Sequence, residues 1–198
     1  MATKWITLKC RVRWAQFYEP EEFSGDTRWI GTFYPVDGSE WEKYSKSGLQ
    51  MVPKEDNDGH KFIRIRRPLK KLFPKDDEAT YFVPPKITGA VNVAYHNAAT
   101  GEELRTYKKS DKIEIKVVGE KTNIGNDSIV NVNIAVFDTG QGKGHRMESL
   151  NVLDLVEYNP ESKTEEVQKS EEPEPKKTNK KSDSTEEVKK DMNDELPW

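Results

Sequence analysis

Residues Ile6–Trp14 read ITLKCRVRW, and the alternation of apolar and polar residues in this stretch indicates the fold class. Its apolar residues occupy every second position: Ile6, Leu8, Cys10, Val12 and Trp14. The positions between them are polar, and three of them are the cations Lys9, Arg11 and Arg13. Because successive side chains of a β-strand point to opposite faces, the pattern predicts a strand with one buried and one basic face. Trp14 continues the apolar face and is predicted to lie in the core, whereas Trp5 falls on the opposite face.

Four later stretches have the same period of two and are predicted to be strands: KFIRIRR (61–67), GAVNVAYH (89–96), KIEIKVVG (112–119) and SIVNVNIAVFD (128–138). Clusters of Gly, Pro, Asn and Asp separate them and predict turns. No long helical period with caps is evident, although short helical turns are expected near Pro68–Phe73 or Glu19–Phe23. The pattern favours an all-β fold, an OB-fold-like small antiparallel barrel with long loops. Another all-β sandwich stays open as an alternative.

The composition changes after Tyr158. Residues 1–158 contain 24 Lys and Arg against 23 Asp and Glu, whereas residues 159–198 contain 8 against 12. The second segment is built from Lys, Glu, Ser, Thr and Pro, and it has too few apolar residues to offset the entropy of ordering. We therefore predict a folded domain over 1–158, a disordered linker over 159–190 and an acidic tip over 191–198, so that the chain ends in a disordered acidic tail.

Catalytic and metal-binding motifs are not apparent. The single Cys10 excludes an intramolecular disulfide and a cysteine-based zinc site. His60, His96 and His145 lie in or beside turns, and none is at metal-ligand spacing to another candidate ligand. There is neither a nucleophile elbow nor a phosphate-binding P-loop. We predict a protein that is not an enzyme and needs no cofactor or metal.

The sequence gives no sign of membrane insertion or export. No apolar run approaches the roughly 20 residues that span a bilayer. The N-terminus also lacks the apolar stretch of a signal peptide. The expectation is a cytoplasmic protein without a membrane partner.

The stretch KFIRIRRPLKK concentrates positive charge, with no acidic residue before Asp76. Alternate residues of a strand lie about 6.6 Å apart, close to the phosphate repeat of an extended nucleic-acid strand. The predicted phosphate contacts are Lys61, Arg64, Arg66, Arg67, Lys70 and Lys71. Three further cations are weaker candidates: Lys108, Lys109 and Arg146.

Aromatic residues are dense before residue 45, where polar, loop-like sequence contains more rings than a small core needs. Aromatic side chains beside a basic groove can stack on bases without sequence preference. The rings favoured for stacking are Phe17, Tyr18, Trp29, Phe33, Tyr34 and Tyr81. Basic and aromatic residues on a small β-barrel, without a recognition helix, favour single-stranded nucleic acid as the ligand.

The last eight residues, DMNDELPW, resemble the C-terminal tip of bacterial and phage single-stranded DNA-binding proteins. In those proteins an OB-fold body is followed by a low-complexity linker and an acidic tip that ends in a bulky hydrophobic residue after proline. RVRWAQFYEPEEF and the region from Ile124 to Tyr158 are more similar to the phage-encoded branch of the family. The corresponding tip residues here are Asp191, Asp194, Glu195, Leu196, Pro197 and Trp198.

The resemblance implies a protein that coats single-stranded DNA during phage DNA replication, recombination and repair. It also implies that the tip recruits replication and recombination proteins and competes with DNA for the basic groove. The sequence is compatible with a homo-oligomer. The alternatives are an RNA-binding OB or cold-shock-like module and a non-catalytic phage scaffold or structural protein; a nuclease is a more remote one.

Overall fold

A computed structural model describes residues 3–73, 76–139 and 142–158. The chain divides into two units, residues 1–160 and 161–198, and all described residues belong to the first. The predicted linker and acidic tip lie outside the described residues. In chain order the elements are β1 (Thr3–Phe23), β2 (Asp26–Pro35), α1 (Gly38–Lys46), β3 (Lys54–Glu55), β4 (Lys61–Pro68), β5 (Lys70–Lys71), β6 (Thr80–Phe82), β7 (Lys86–Gly89), β8 (Ala94–Asn97), β9 (Thr106–Lys108), β10 (Ile115–Val118), β11 (Ser128–Thr139) and β12 (Gly142–Asp154).

The main sheet has seven strands in the order β3-β4-β2-β1-β11-β12-β7. Its neighbours pair antiparallel except β12 and β7, which are parallel. The sheet curls until β4 lies against β12, and β1, β2, β4, β11 and β12 thus form an OB-fold-like barrel. The predicted all-β, OB-fold-like architecture is confirmed. Two small sheets, β5-β6-β9 and β10-β8, lie in the segment between β4 and β11.

A buried arginine joins the two strands at which the barrel closes. The Arg67 guanidinium on β4 donates to the carbonyl oxygens of Met147 on β12 (3.0 Å), Val83 (2.7 Å) and Arg105 (3.0 Å). It also donates to the Glu148 carboxylate at 2.8 Å. Side-chain hydrogen bonds therefore connect β4, β12 and the intervening segment where the strand ladder does not.

The predicted alternation of β1 holds as far as Val12. Leu8, Cys10 and Val12 are fully buried, as their positions predict. The prediction that Trp14 lies in the core is wrong, because the chain bulges there. Trp14 has a φ of 49°, its N–H donates to Asn126 Oδ1 at 2.8 Å, and the pairing with β2 shifts register after Arg13.

After the bulge, the odd-numbered positions of β1 point to the core in place of the even-numbered ones. Trp14 is 56% exposed, and Phe17 enters the core instead, stacked on Phe33 with ring centroids 6.2 Å apart. Gly31 makes room for both rings, since a Cβ at this position would lie 2.8 Å from atoms of Phe17 and of Phe33. Trp5 is also 56% exposed, on the face that the sequence predicts.

The α-helix lies where the sequence predicted a turn. Asp37 caps α1 by accepting the N–H groups of Ser39 (2.8 Å) and Glu40 (3.1 Å). Buried Glu40 accepts the Lys9 N–H at 2.9 Å and so satisfies an edge of β1 that β2 does not reach. The helical turns expected near Pro68–Phe73 and Glu19–Phe23 are wrong, because β5 and the end of β1 occupy those regions. Within the described residues, no helix has the length and apolarity to cross a membrane.

Candidate nucleic-acid interface

The outward side chains of β1, β2 and β4 form a surface that we call the arginine face. Antiparallel pairing aligns these side chains in rows across the three strands. Successive rows are Arg11–Tyr34, Arg13–Thr32–Arg64, Gln16–Ile30–Arg66 and Glu21–Arg28–Pro68. Five arginines thus share one surface, and the two from β4 are the residues that the alternation of KFIRIRR predicts there.

Charge on the arginine face is neutralised unevenly. Arg28 pairs with Glu21 at 3.0 Å, and Arg13 and Arg11 approach Asp127 at 2.9 and 3.4 Å. Arg64 and Arg66 are exposed and form no ion pair with any carboxylate of the described residues. Positive charge is therefore least compensated along β4.

A cleft of about 410 Å³ lies between the tip of the β1–β2 hairpin, the end of β4 and the β11–β12 hairpin. Six cationic side chains line it: Arg28, Arg66, Lys70, Lys71, Lys143 and Arg146. Lys71 lies over the rings of Phe73 and Phe137, and Arg146 lies 4.6 Å from the centroid of Phe82. Arg146 also pairs with Glu148, so part of its charge is compensated. We call this the hairpin cleft.

A second cleft of about 600 Å³ adjoins the first and shares Arg28, Arg66 and His145 with it. It lies over the middle of β1, β2 and β4, and we call it the strand cleft. Two rings in its lining, Trp14 and Phe23, are 56% and 59% exposed. Burial lowers the pKa of His145 and Arg66 lowers it further, so the neutral form of this imidazole is favoured. The shared residues make the two clefts one continuous cationic trough.

Most of the predicted stacking rings are not available at this surface. Phe17, Trp29 and Phe33 belong to the hydrophobic core, so their assignment to base stacking is wrong. Tyr34 faces outward, but it is buried because Arg11 and Arg13 cover its ring at 5.6 and 5.4 Å.

Tyr18 is half-buried and lies outside both clefts. Its hydroxyl donates to the Thr122 carbonyl at 2.8 Å, and burial raises its pKa to about 12. Tyr81 is therefore the one ring of the predicted set that the structure leaves partly exposed beside the cationic trough.

The prediction for Arg67 also needs correction. Arg67 is only 2% exposed, and its donors are used by Val83, Met147, Arg105 and Glu148 as described above. Burial lowers its pKa while Glu148 opposes that effect, and a phosphate cannot reach the guanidinium without opening the barrel. Lys61 is exposed 4.0 Å from Glu55 and lines neither cleft.

The remaining predicted residues meet on the sheet β5-β6-β9. Lys70, Tyr81 and Tyr107 are aligned across its three strands, and the two rings stack with centroids 5.5 Å apart. Lys109 lies 5.1 Å from the centroid of Tyr81, and Lys108 ends β9. Since Lys70 also lines the hairpin cleft, this sheet continues the cationic trough.

One group in the described residues has the ligand atoms for a cation, contrary to the prediction that no histidine is at metal-ligand spacing to another candidate ligand. Asp56, Asp58 and His60 place such atoms within 4.8 Å of one another in the β3–β4 turn. Asp56 Oδ1 already accepts the N–H groups of Asp58 (3.1 Å) and His60 (2.8 Å), which is the bonding of a tight turn. This geometry gives no reason to assign a metal. The predicted tip residues, Asp191, Asp194, Glu195, Leu196, Pro197 and Trp198, lie outside the described residues.

Comparison with known proteins gives one structural likeness. No protein-family model matches the chain, and no curated protein matches it significantly. The crystal structure of gp2.5, a single-stranded DNA binding protein encoded by bacteriophage T7, is similar with a TM-score of 0.50. The sequences are 12% identical, and the match covers 88% of this chain and 100% of that one. At this identity the likeness shows a distant relationship of fold.

Proposed function

We propose that this chain binds single-stranded DNA with little sequence preference. The observation that carries the proposal is the position of two arginines that lack carboxylate partners among the described residues: Arg64 lines the strand cleft, and Arg66 lines both clefts where they adjoin. Exposed Trp14 and Phe23 stand in the same trough. Guanidinium groups bind the phosphates of any sequence, and aromatic rings stack on any base.

Single-stranded DNA suits this surface better than a duplex does. In OB-folds the outer face of the second and third strands and the loops between strands 1–2 and 4–5 bind oligonucleotides. Here the same places correspond to β2, β4, the β1–β2 hairpin and the β11–β12 hairpin, which line the clefts. α1 is held against β1 through Glu40 and is not placed as a groove-reading helix. The structurally similar phage T7 protein is a single-stranded DNA binding protein, which supports the same ligand here.

The wider role follows from this ligand. The protein would coat exposed single strands during phage DNA replication, recombination and repair in the host cytoplasm, and it would perform no chemistry of its own. The phosphate contacts we assign are Arg64, Arg66, Lys70 and Lys71, with Lys108, Lys109 and Arg146 as further contacts. Trp14, Phe23 and Tyr81 are the stacking rings.

The acidic tip supplies the second part of the proposal. Trp198 with Asp194 and Glu195 would enter a basic-rimmed apolar pocket on a replication or recombination protein. The same tip would compete with DNA for the cationic trough at an effective concentration that tethering can raise to the millimolar range. A linker of residues 159–190 would span roughly 30 Å as a flexible coil, enough for either contact.

The test is a salt titration of DNA binding with the full chain and with a chain lacking residues 191–198. Each protein is measured on an unstructured single strand and on a duplex of the same length. We expect tight binding to the single strand, quenched tryptophan fluorescence and a steep loss of affinity with salt. The truncated chain should bind the single strand more tightly.

The outcomes separate the parts of the proposal. Equal affinity for duplex and single strand contradicts single-strand binding, and no binding at low salt favours a scaffold role. Preference for RNA in a competition with DNA of the same sequence would indicate an RNA-binding module. If removal of the tip leaves DNA affinity unchanged or lowers it, the competition is refuted while DNA binding stands.

A further inference from the structure

Arg11 and Arg13 form a second cationic cluster on the arginine face, beside the strand cleft. Both are outward residues of β1, and their guanidiniums lie 5.6 and 5.4 Å from the centroid of Tyr34. Cross-strand pairing aligns Arg13 with Thr32 and Arg64, so the cluster continues the row that leads into the strand cleft. Trp14, a lining residue of that cleft, is the next residue of the chain.

A carboxylate already occupies this cluster. Asp127 Oδ1 lies 2.9 Å from Arg13 Nε and 3.4 Å from Arg11 Nε, and Asp127 Oδ2 accepts from Arg13 Nη2 at 3.5 Å. The side chains of Arg11, Arg13 and Asp127 are 38%, 27% and 46% exposed. Water therefore reaches all three groups, and exchange of one anion for another requires no opening of the core.

The backbone explains how a carboxylate comes to lie there. Asp127 has a φ of 72°, and its N–H donates to the Val12 carbonyl at 2.8 Å. The preceding Asn126 accepts the Trp14 N–H at 2.8 Å. These bonds fix the 126–127 turn against the β1 bulge and direct the Asp127 side chain to the two arginines.

We propose that Arg11 and Arg13 form a further phosphate-binding subsite, that the Asp127 carboxylate occupies it in the free protein, and that a backbone phosphate of single-stranded DNA displaces this carboxylate. The inference rests on the proposed function and adds a built-in competitor to it. A guanidinium donates the same planar fork of N–H groups to carboxylate and to phosphate oxygens, so the two anions can exchange at one site. Trp14 can then stack on the base of the nucleotide whose phosphate enters the subsite.

The test replaces the charge of Asp127 and keeps its shape. In Asp127→Asn the side chain retains one acceptor oxygen, and asparagine tolerates the positive φ. We expect single-stranded DNA to bind about threefold to tenfold more tightly at low salt, because an exposed ion pair no longer has to be broken first. The plot of log affinity against log salt should steepen by up to about 0.7, because the one phosphate that enters the subsite no longer leaves an unpaired Asp127 carboxylate to take up a cation.

Matched variants separate this mechanism from a general change in charge. Glu42→Gln removes the same charge from the exposed Glu42–Lys46 pair of α1, outside both clefts, and should bind DNA like the unaltered protein. Adding Arg11→Gln and Arg13→Gln to Asp127→Asn should abolish the gain. In the unaltered background these two arginine substitutions should weaken binding and flatten the salt dependence.

Several results overturn the inference. It fails if Asp127→Asn matches Glu42→Gln in affinity and slope, or if the gain persists without Arg11 and Arg13. If the Asp127→Asn protein does not fold, the double variant Arg11→Gln, Arg13→Gln still tests the subsite. Unchanged DNA affinity in that double variant refutes it. Absence of single-strand binding by the unaltered protein refutes the proposed function and the inference together, whereas normal binding with an inert Asp127 refutes only the inference.

Discussion

The two faces of β4 place the same residue type in opposite environments. Arg66 and Arg67 are adjacent in sequence, yet Arg66 points into the cationic trough and Arg67 points into the barrel closure. Four hydrogen-bond acceptors surround Arg67, while Arg66 has no carboxylate partner among the described residues. A guanidinium inside the protein must have its partners supplied by the fold. A guanidinium on the surface that has no carboxylate partner can bind an external anion.

The largest expected effect is a loss of stability when Arg67, on the inner face of β4, is substituted. We expect Arg67→Ala to lower the free energy of unfolding by about 3–5 kcal/mol, because three carbonyl groups lose their donor at a buried site and Glu148 keeps only its pair with Arg146. Chemical denaturation measures this change. Arg66→Ala is the control and should alter stability by less than about 0.5 kcal/mol. Equal losses in the two variants would contradict the assignment of Arg67 to barrel closure.

On the outer face, the double substitution Arg64→Gln, Arg66→Gln should weaken single-strand binding about thirtyfold at low salt, if each phosphate contact contributes about 1 kcal/mol. Stability should not change, since neither side chain is buried. Lys46→Gln with Lys116→Gln removes the same charge from exposed positions that line neither cleft and lie outside the arginine face. An equal loss in that control, measured by fluorescence anisotropy, would mean that net charge alone drives binding.

Two tryptophans of β1 are equally exposed but lie in different surroundings. Trp14 and Trp5 are both 56% exposed, but Trp14 lines the strand cleft and Trp5 does not. Trp14→Ala should weaken single-strand binding about tenfold, within the range that stacking on one base contributes. Trp5→Ala should leave affinity unchanged. In the Trp14→Phe protein, DNA should quench a smaller fraction of the tryptophan fluorescence than in the unaltered protein. An equal fraction would contradict the assignment of stacking to Trp14.

The smallest expected effect is a pH dependence from His145. Its pKa in the free protein lies below the ordinary value because of burial and the nearby Arg66. A phosphate bound in the trough raises this pKa, so binding takes up a proton and becomes stronger as the pH falls below 7. We expect about a threefold gain between pH 7.5 and 6. His145→Gln should remove the gain and His96→Gln should keep it; any other result of that pair contradicts the assignment.

The sequence predicted the fold where alternation is unbroken. Strands β4 and β11 and the first part of β1 follow from their patterns, and inward residues such as Val12 and Ile65 are buried as expected. The phase changes after Trp14, where Ala15 and Phe17 rather than Gln16 become the apolar positions. This change of phase indicates a bulge. It predicts Phe17, and not Trp14, as the core residue.

The helix was missed because its evidence is brief. Asp37 followed three residues later by Glu40 is a capping pattern, but it introduces only a nine-residue helix with a polar sequence. Long-range contacts stabilise the helical conformation of this segment, because Glu40 accepts a hydrogen bond from the N–H of Lys9, which is distant in sequence.

The candidate site was predicted in part for a similar reason. The sequence identifies Arg64, Arg66, Lys70 and Lys71 because they are close together along the chain. It could not show that Arg67 meets Glu148 across the barrel, or that Arg28, Lys143 and Phe23 reach the same clefts through hairpins. Ring density likewise indicated aromatic surface without distinguishing core rings such as Phe33 from exposed ones.

Burial of Cys10 has a practical consequence for labelling chemistry. It is the chain's one thiol, it lies fully inside the barrel on β1, and burial raises its pKa. Maleimides and disulfide reagents need an accessible thiolate, so the folded protein offers them no target. A cysteine introduced by Lys54→Cys, at the rim of the strand cleft, would accept a fluorophore selectively while the native sulfur stays in place.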